Sequence, residues 1–359
     1  MASTTTNYGW TVPTSSDLVK NGATAISTVG QSVDTFLFRP FTRNAVLNSG
    51  FQVAQRGTSV AVNAALAYSL DRWNSYYAGN LTISRQATGD TTNLPFIQYC
   101  ARFQRNAGQT NTTGTNFSQS IETINSIPFV GKTVTFSFYA RKGANYSPTS
   151  DVLTYAVVSG TGTDQSYLSS WSGSSNVVFA NATLTTTWQR FTATGTVSSS
   201  ATQLAINFSN TPTGTAGAAD YYEVTGVMLE VGSQASPYTP ATPTYATELA
   251  ACQRYYYRAG GASTYEAFAN GQATSTTVAK CLLRLPVTMR VSPTSIEYST
   301  VGVADGYSAP ISAVVTLGAA SPNVQEMAGT VSSGLTQNRA YYLSANNSTS
   351  AYIGVSAEL

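Results

Sequence analysis

Val134-Thr135-Phe136-Ser137-Phe138-Tyr139-Ala140 carries an apolar side chain at every second position. That period of two puts Val134, Phe136, Phe138 and Ala140 on one face of a strand and Thr135, Ser137 and Tyr139 on the other. The same alternation recurs in Val60-Ala61-Val62, Leu81-Thr82-Ile83-Ser84 and Leu204-Ala205-Ile206-Asn207-Phe208. Stretches rich in Gly, Asn and Ser, such as 106–114 and 172–176, separate these runs as turns do. From 44 to 238 the pattern is one of many short strands, which predicts a β-sandwich of jelly-roll type. The fold class is all-β.

Beyond that region, Ser236-Pro237-Tyr238-Thr239-Pro240-Ala241-Thr242-Pro243 places three prolines within seven residues. Such a stretch is a stiff linker and sets a boundary, giving domains over 44–238 and 239–359. In the second, residues 245–258 read as a short helix passing into a strand. Strand-like runs follow at 278–285, 295–298, 311–317, 340–343 and 351–359, so a smaller C-terminal β-domain is expected.

The first 43 residues differ. Pro13-Thr14-Ser15-Ser16-Asp17 is a helix-start signal, and Arg39-Pro40 is a stop. Between them Val19, Ile26 and Val33 fall seven apart, with Gly22, Val29 and Phe36 three residues after each. Val19, Ile26, Val29, Val33 and Phe36 therefore form a coiled-coil-like stripe, which points to self-association of a helical anchor segment. A single amphipathic helix packed on its own domain is the alternative.

Composition narrows the chemistry. Of 359 residues only 9% are charged, against roughly a quarter in an ordinary soluble protein. Thr and Ser fill the gap, at 52 and 43 residues. There is no histidine, which excludes Ser-His-Asp and Cys-His catalysis and His-ligated metals. A net charge of +2, with four lysines, leaves no electrostatic footprint for nucleic acid. Cys100, Cys252 and Cys281 are too few and too far apart for a disulfide framework or a CxxC site, and read as small buried side chains. No metal or cofactor is expected. No window is long and apolar enough for membrane insertion, and residues 1–7 do not look like a secretory signal. A chain made in a cytoplasm yet clad in hydroxyls fits a particle assembled inside a cell and released from it.

Several segments together resemble bacteriophage tail-fibre and head-fibre proteins. Thr5-Thr6-Asn7-Tyr8-Gly9-Trp10-Thr11-Val12-Pro13 and Asp17 to Ile26 resemble the virion-proximal segment of such fibres. The middle region is similar to their carbohydrate-binding-module-type jelly rolls. The resemblance rests on Asn48 to Thr58, Leu70-Asp71-Arg72-Trp73, Gly131 to Arg141, Trp188-Gln189-Arg190-Phe191 and Val227 to Gly232. Glu248 to Arg258 resembles the run that often follows that jelly roll. This resemblance implies attachment to other virion proteins through residues 1–43, a homotrimer, and distal β-domains facing a host cell-surface glycan. The protein would then sit on the external surface of the virion. Related modules often hold a structural calcium through an aspartate near the last strand. Here Tyr222-Glu223-Val224-Thr225-Gly226-Val227 has Thr225 and Gly226 at that point, with Glu223 as the nearest substitute.

Sugar-binding sandwiches use exposed aromatic rings as stacking platforms. Trp171 lies in a small, polar, loop-like segment, Leu168-Ser169-Ser170-Trp171-Ser172-Gly173, where a core role is unnatural, so it is a ligand candidate. Tyr76 and Tyr77 are the others, since adjacent residues of a strand cannot both face inward. The consecutive Tyr255, Tyr256 and Tyr257 carry the same implication and suit an inter-subunit surface. Trp73 reads as core. No catalytic residue is expected, because the 16 acids are scattered singly and no 20–50-residue repeat marks a depolymerase β-helix. A purely structural virion protein, decorating a capsid or collar, remains the alternative to host attachment.

Overall fold

The structure is a computed structural model, and it describes residues 3–4, 11–12, 14, 19–37, 44–63, 66–307 and 309–359. The segments 5–10, 15–18 and 38–43, on which the helix signals and most of the virion-proximal resemblance fall, lie outside the described residues, as do the side chains of Val19 and Phe36. The chain divides into two compact units. The first holds residues 1–52, 59–69 and 73–241; the second holds 53–58, 70–72 and 242–359.

In the first unit, helix α1 spans Val19–Leu37. Along its stripe Ile26 is 67% exposed, while Val29 and Val33 are half-buried. Twelve strands then build a sandwich of two six-stranded antiparallel sheets. They are β1 (Ser59–Asn63), β2 (Leu66–Tyr68), β3 (Asn74–Tyr76), β4 (Asn80–Ala87), β5 (Tyr99–Arg105) and β6 (Thr115–Ile121), followed by β7 (Thr133–Lys142), β8 (Val152–Gly160), β9 (Ser175–Thr183), β10 (Gln189–Thr196), β11 (Gln203–Asn210) and β12 (Tyr221–Val231). One sheet has the order β9-β8-β11-β6-β3-β2, the other β10-β7-β12-β5-β4-β1. This is a jelly-roll-type β-sandwich, and the alternation in Val134 to Ala140 is realised in β7.

The core between the sheets is aromatic. Trp73 is fully buried and stacks on Phe117 with centroids 4.7 Å apart; Phe138 meets Phe208 edge-on at 4.9 Å, and Phe103 stacks on Tyr222 at 5.2 Å. These rings give β5, β6, β7, β11 and β12 an inward and an outward side, because side chains alternate across a strand.

In the second unit a capping box at Thr244 starts helix α2 (Tyr245–Gln253), which runs into β13 (Tyr256–Gly260). Strand β13 pairs with the terminal strand Tyr352–Ser356, which also pairs with Ser295–Ser299. Beside this small sheet is a seven-stranded one between Ala267 and Ala345, with Cys281, Met327 and Leu343 in the shared core. The consecutive tyrosines are not an exposed surface. Tyr255 and Tyr256 are both buried, and Tyr257 is half-buried. The excursions 53–58 and 70–72 supply their covers: the Arg72 guanidinium lies 3.5 Å over the Tyr255 ring and Arg56 3.5 Å over Tyr256. Glu358 pairs with both arginines, and Asp71 accepts from the Gln55 backbone N–H at 2.7 Å. All three cysteines are buried and free.

Candidate functional site

The two sheets differ in chemistry. The six strands β1, β4, β5, β7, β10 and β12 carry eight ionised side chains: Arg85, Arg102, Arg105, Arg141, Lys142, Arg190, Glu223 and Glu230. The six strands β2, β3, β6, β8, β9 and β11 carry none.

The outward face of the charged sheet is closed by its own chain. Leu94 and Ile97 from the 88–98 loop pack with Cys100 and Trp188, and Tyr139 and Tyr238 join them. Trp188 donates its indole N–H to the Thr88 carbonyl at 3.1 Å. Ser236 donates both its backbone N–H and its hydroxyl to buried Glu230, each at 2.7 Å, and Arg190 donates to the Ser236 carbonyl. At the centre, fully buried Glu223 accepts from Arg102 at 2.6 and 2.8 Å and from Arg141. The Arg102 guanidinium lies 3.9 Å over Tyr221, and that of Arg141 4.7 Å over Trp188. Arg102, Arg141 and Glu223 are thus paired within the sheet.

That network also decides the calcium question. Both Glu223 oxygens are occupied by guanidinium groups, and the Thr225 hydroxyl donates to the Tyr99 carbonyl at 2.6 Å. Gly226 has φ +56°, and a Cβ there would meet Ile97 and Tyr139. The donor set does not fit a cation, and no His/Cys/Asp/Glu cluster suited to a metal occurs among the described residues.

The uncharged sheet presents two cross-strand rows outward. Register aligns Phe179, Ala156, Asn207, Ser118, Asn74 and Tyr68 in one, and Asn181, Thr154, Ser209, Asn116, Tyr76 and Leu66 in the next. The centre is a floor and the ends are rims. Asn207 and Asn74 are 5% and 4% exposed, whereas Phe179 is 66% and Tyr76 42% exposed. From β9 to β3 are four inter-strand steps, about 19 Å at about 4.8 Å each.

Hydrogen bonding on the floor is incomplete. Asn207 donates its amide to Asn116 Oδ1 at 2.9 Å, and Asn74 donates to Ser166 Oγ at 3.3 Å. The Oδ1 atoms of both Asn74 and Asn207 are buried with no hydrogen-bond partner. Such an acceptor costs about 1–3 kcal/mol of desolvation, and its persistence asks for an explanation. Thr154 donates to Asn181 at 2.8 Å and Ser118 to the Ile206 carbonyl at 2.7 Å, so neighbouring hydroxyls are already committed.

One end of the face is walled by the 161–174 loop. Gln165 and Gln203 exchange hydrogen bonds at 2.9 and 2.7 Å, and the Tyr167 N–H donates to Ser120 Oγ at 2.9 Å. Trp171 stands over Gly160, where a Cβ would lie 2.7 Å from the indole; its N–H donates to the Ser159 carbonyl at 3.2 Å, and Tyr167 packs edge-on against it. Trp171 is therefore half-buried and braces the loop on this face.

Of the three aromatic candidates, Trp171 and Tyr76 come to the same outward face. Tyr77 does not: it is 0% exposed, turned inward, with its hydroxyl donated to the Asn111 carbonyl and 3.2 Å from Arg105 Nε. It offers no surface to a ligand. Phe179, Asn74 and Asn207 were absent from the sequence reading, because nothing local distinguishes them from other outward residues.

No protein-family model and no curated protein matches the chain. Solved structures do. The chain is similar to the enzymatically active domain of bacteriophage CBA120 tailspike protein 4, at 14% identity and TM-score 0.33, over 53% of this chain and 22% of that one. It is similar to a carbohydrate-binding module, TmCBM61, in complex with β-1,4-galactotriose, at 14% identity and TM-score 0.31, over 53% of this chain and 100% of that one. It is also similar to a xylan-binding domain from Paenibacillus barcinonensis, at 12% identity and TM-score 0.32, over 54% and 97%. The chain thus spans about a fifth of the tailspike chain.

Proposed function

We propose that this chain is a bacteriophage virion appendage protein that attaches the particle to a host cell-surface glycan, with the outward face of the uncharged sheet as the binding surface. One observation carries the binding reading: the rings of Tyr76 and Phe179 stand exposed on an uncharged sheet face, with the accessible polar side chains of Asn181, Thr154, Ser209 and Asn116 in the row that joins their strands. Polar side chains of this kind suit sugar hydroxyls, and flat rings stack on the apolar faces of sugars. A concave, mostly preformed surface with a few well-placed polar groups is the usual form of a small-ligand site. The reading is of binding without catalysis, since glycoside cleavage uses a pair of carboxyl groups and this sheet contributes none.

The appendage assignment rests on the resemblance of the segments quoted above. In it, residues 1–43 join other virion proteins, and Val19, Ile26, Val29, Val33 and Phe36 associate helices of three copies. Three weak sites on one trimer gain avidity from their effective concentration. The chain is synthesised in the host cytoplasm and displayed on the outside of the virion.

The test is binding of the fluorescently labelled full chain to a panel of intact bacterial strains, with its mass measured in solution. Saturable binding by a trimer, removed by periodate oxidation of the cells and by Tyr76→Ala, is the expected result. A trimer that binds no strain would favour a structural role in the particle, and a monomer would remove the helix-association part.

A further inference from the structure

We infer that the sheet face selects an uncharged glycan, lying across the strands, and rejects acidic ones; this rests on that face being the glycan site. The ground is the chemistry of the strands. Not one Asp, Glu, Lys or Arg occurs in β2, β3, β6, β8, β9 or β11. The loop that walls the face, 161–174, adds a single charge, and that charge is the carboxylate of Asp164.

A uronate or sialate seated here would lose water and meet no cation. Burying an ion without a partner is heavily penalised. The accessible polar groups across this face, on Asn181, Thr154, Ser209 and Asn116, are neutral hydroxyls and amides, which suit the hydroxyls that a neutral sugar has at nearly every carbon. The arginines that recognise carboxylates elsewhere sit in the other sheet, with Arg102 and Arg141 both committed to Glu223.

Spacing sets the ligand's extent. The exposed rings of Phe179 and Tyr76 are four strands apart, about 19 Å. A single sugar ring cannot reach both. The face therefore reads an oligosaccharide segment and not one terminal sugar.

The experiment applies the full chain to an array of neutral gluco-, galacto- and xylo-oligosaccharides beside oligosaccharides of galacturonic and glucuronic acid. The expected result is at least tenfold tighter binding to a neutral oligomer than to any acidic one. That binding should be insensitive to salt and weakened at least tenfold by Tyr76→Ala and by Phe179→Ala, whose exposed rings leave the fold intact. Tighter binding of an acidic oligomer, lost in the same variants, would overturn the neutral selectivity and leave the glycan site standing. Binding to neither class, or binding indifferent to both variants, would overturn the site and the selectivity together.

Discussion

Asn74 and Asn207 sit on the same outward face of one sheet, both in register with Ser118 of the strand between them, and each keeps a buried carboxamide oxygen unpaired. Each such acceptor carries a desolvation cost of about 1–3 kcal/mol. Asn207→Leu keeps the side-chain shape and removes the orphan. It also removes the amide that donates to Asn116 Oδ1. The desolvation gain and the lost hydrogen bond oppose each other, so the melt should stay within about 1 kcal/mol of wild type, which calorimetry measures directly.

Tyr76 and Tyr77 are neighbours with opposite fates. Tyr76→Ala should leave the melt within about 0.5 kcal/mol of wild type, as for other surface changes, while reducing binding. Tyr77→Phe should leave binding unchanged and cost about 1 kcal/mol, because the Asn111 carbonyl and Arg105 lose their hydroxyl partner. A denaturant titration of the pair, read beside their affinities, separates the two roles.

Glu223 holds two guanidinium groups together in the closed face of the charged sheet. Glu223→Gln leaves Arg102 and Arg141 facing each other without a countercharge. Breaking a buried pair costs about 3–5 kcal/mol, and the partial exposure of both arginines brings the expected loss to about 2–3 kcal/mol. Urea unfolding measures it directly.

Burial pushes the Asp71 carboxyl above its usual range, opposed by the nearby Arg56 and by hydrogen bonds from Gln55. An acid whose pKa is higher folded than unfolded is held more tightly as the protonated form in the folded state. Its contribution to stability is therefore complete below the unfolded value and is lost as pH rises through the folded one. Asp71→Asn removes that slope. The Tm difference, variant minus wild type, should increase as pH climbs from below 4 towards neutrality.

Ile26 is exposed on α1 in the single chain, within the apolar stripe. If the stripe joins copies, Ile26→Asp should convert the assembly to monomers, since a charge at a packed apolar seam position is strongly unfavourable. Light scattering of the eluting species reads the change; an unaltered mass would place the association elsewhere.

Some of this was legible early. Alternation at Val60, Leu81, Val134 and Leu204 located four sandwich strands, and Trp73 fell in the core as its surroundings implied. Tyr76 and Trp171 were visible as aromatics without an obvious interior role. Tyr77 was misjudged because period two states that neighbours face opposite ways without stating which faces inward. The partners of Arg72 were equally hidden: its carboxylate, Glu358, is 286 residues away.

The sequence alone determined that this protein is built of strands, that its hydroxyl-rich, charge-poor surface has no histidine chemistry, and where apolar faces alternate. Those are local properties, because a side chain's direction along a strand depends only on its own backbone. Tertiary structure decided which six strands share a sheet, and so sorted every sandwich-strand charge into one of them. It also decided what each outward face leaves accessible: the 88–98 loop and Ser236 pack on the charged sheet, and the 161–174 loop walls part of the other, where Tyr76, Phe179 and the row through Asn116 keep exposed surface. Both follow from pairings between residues far apart in the chain, and no local pattern encodes the partner.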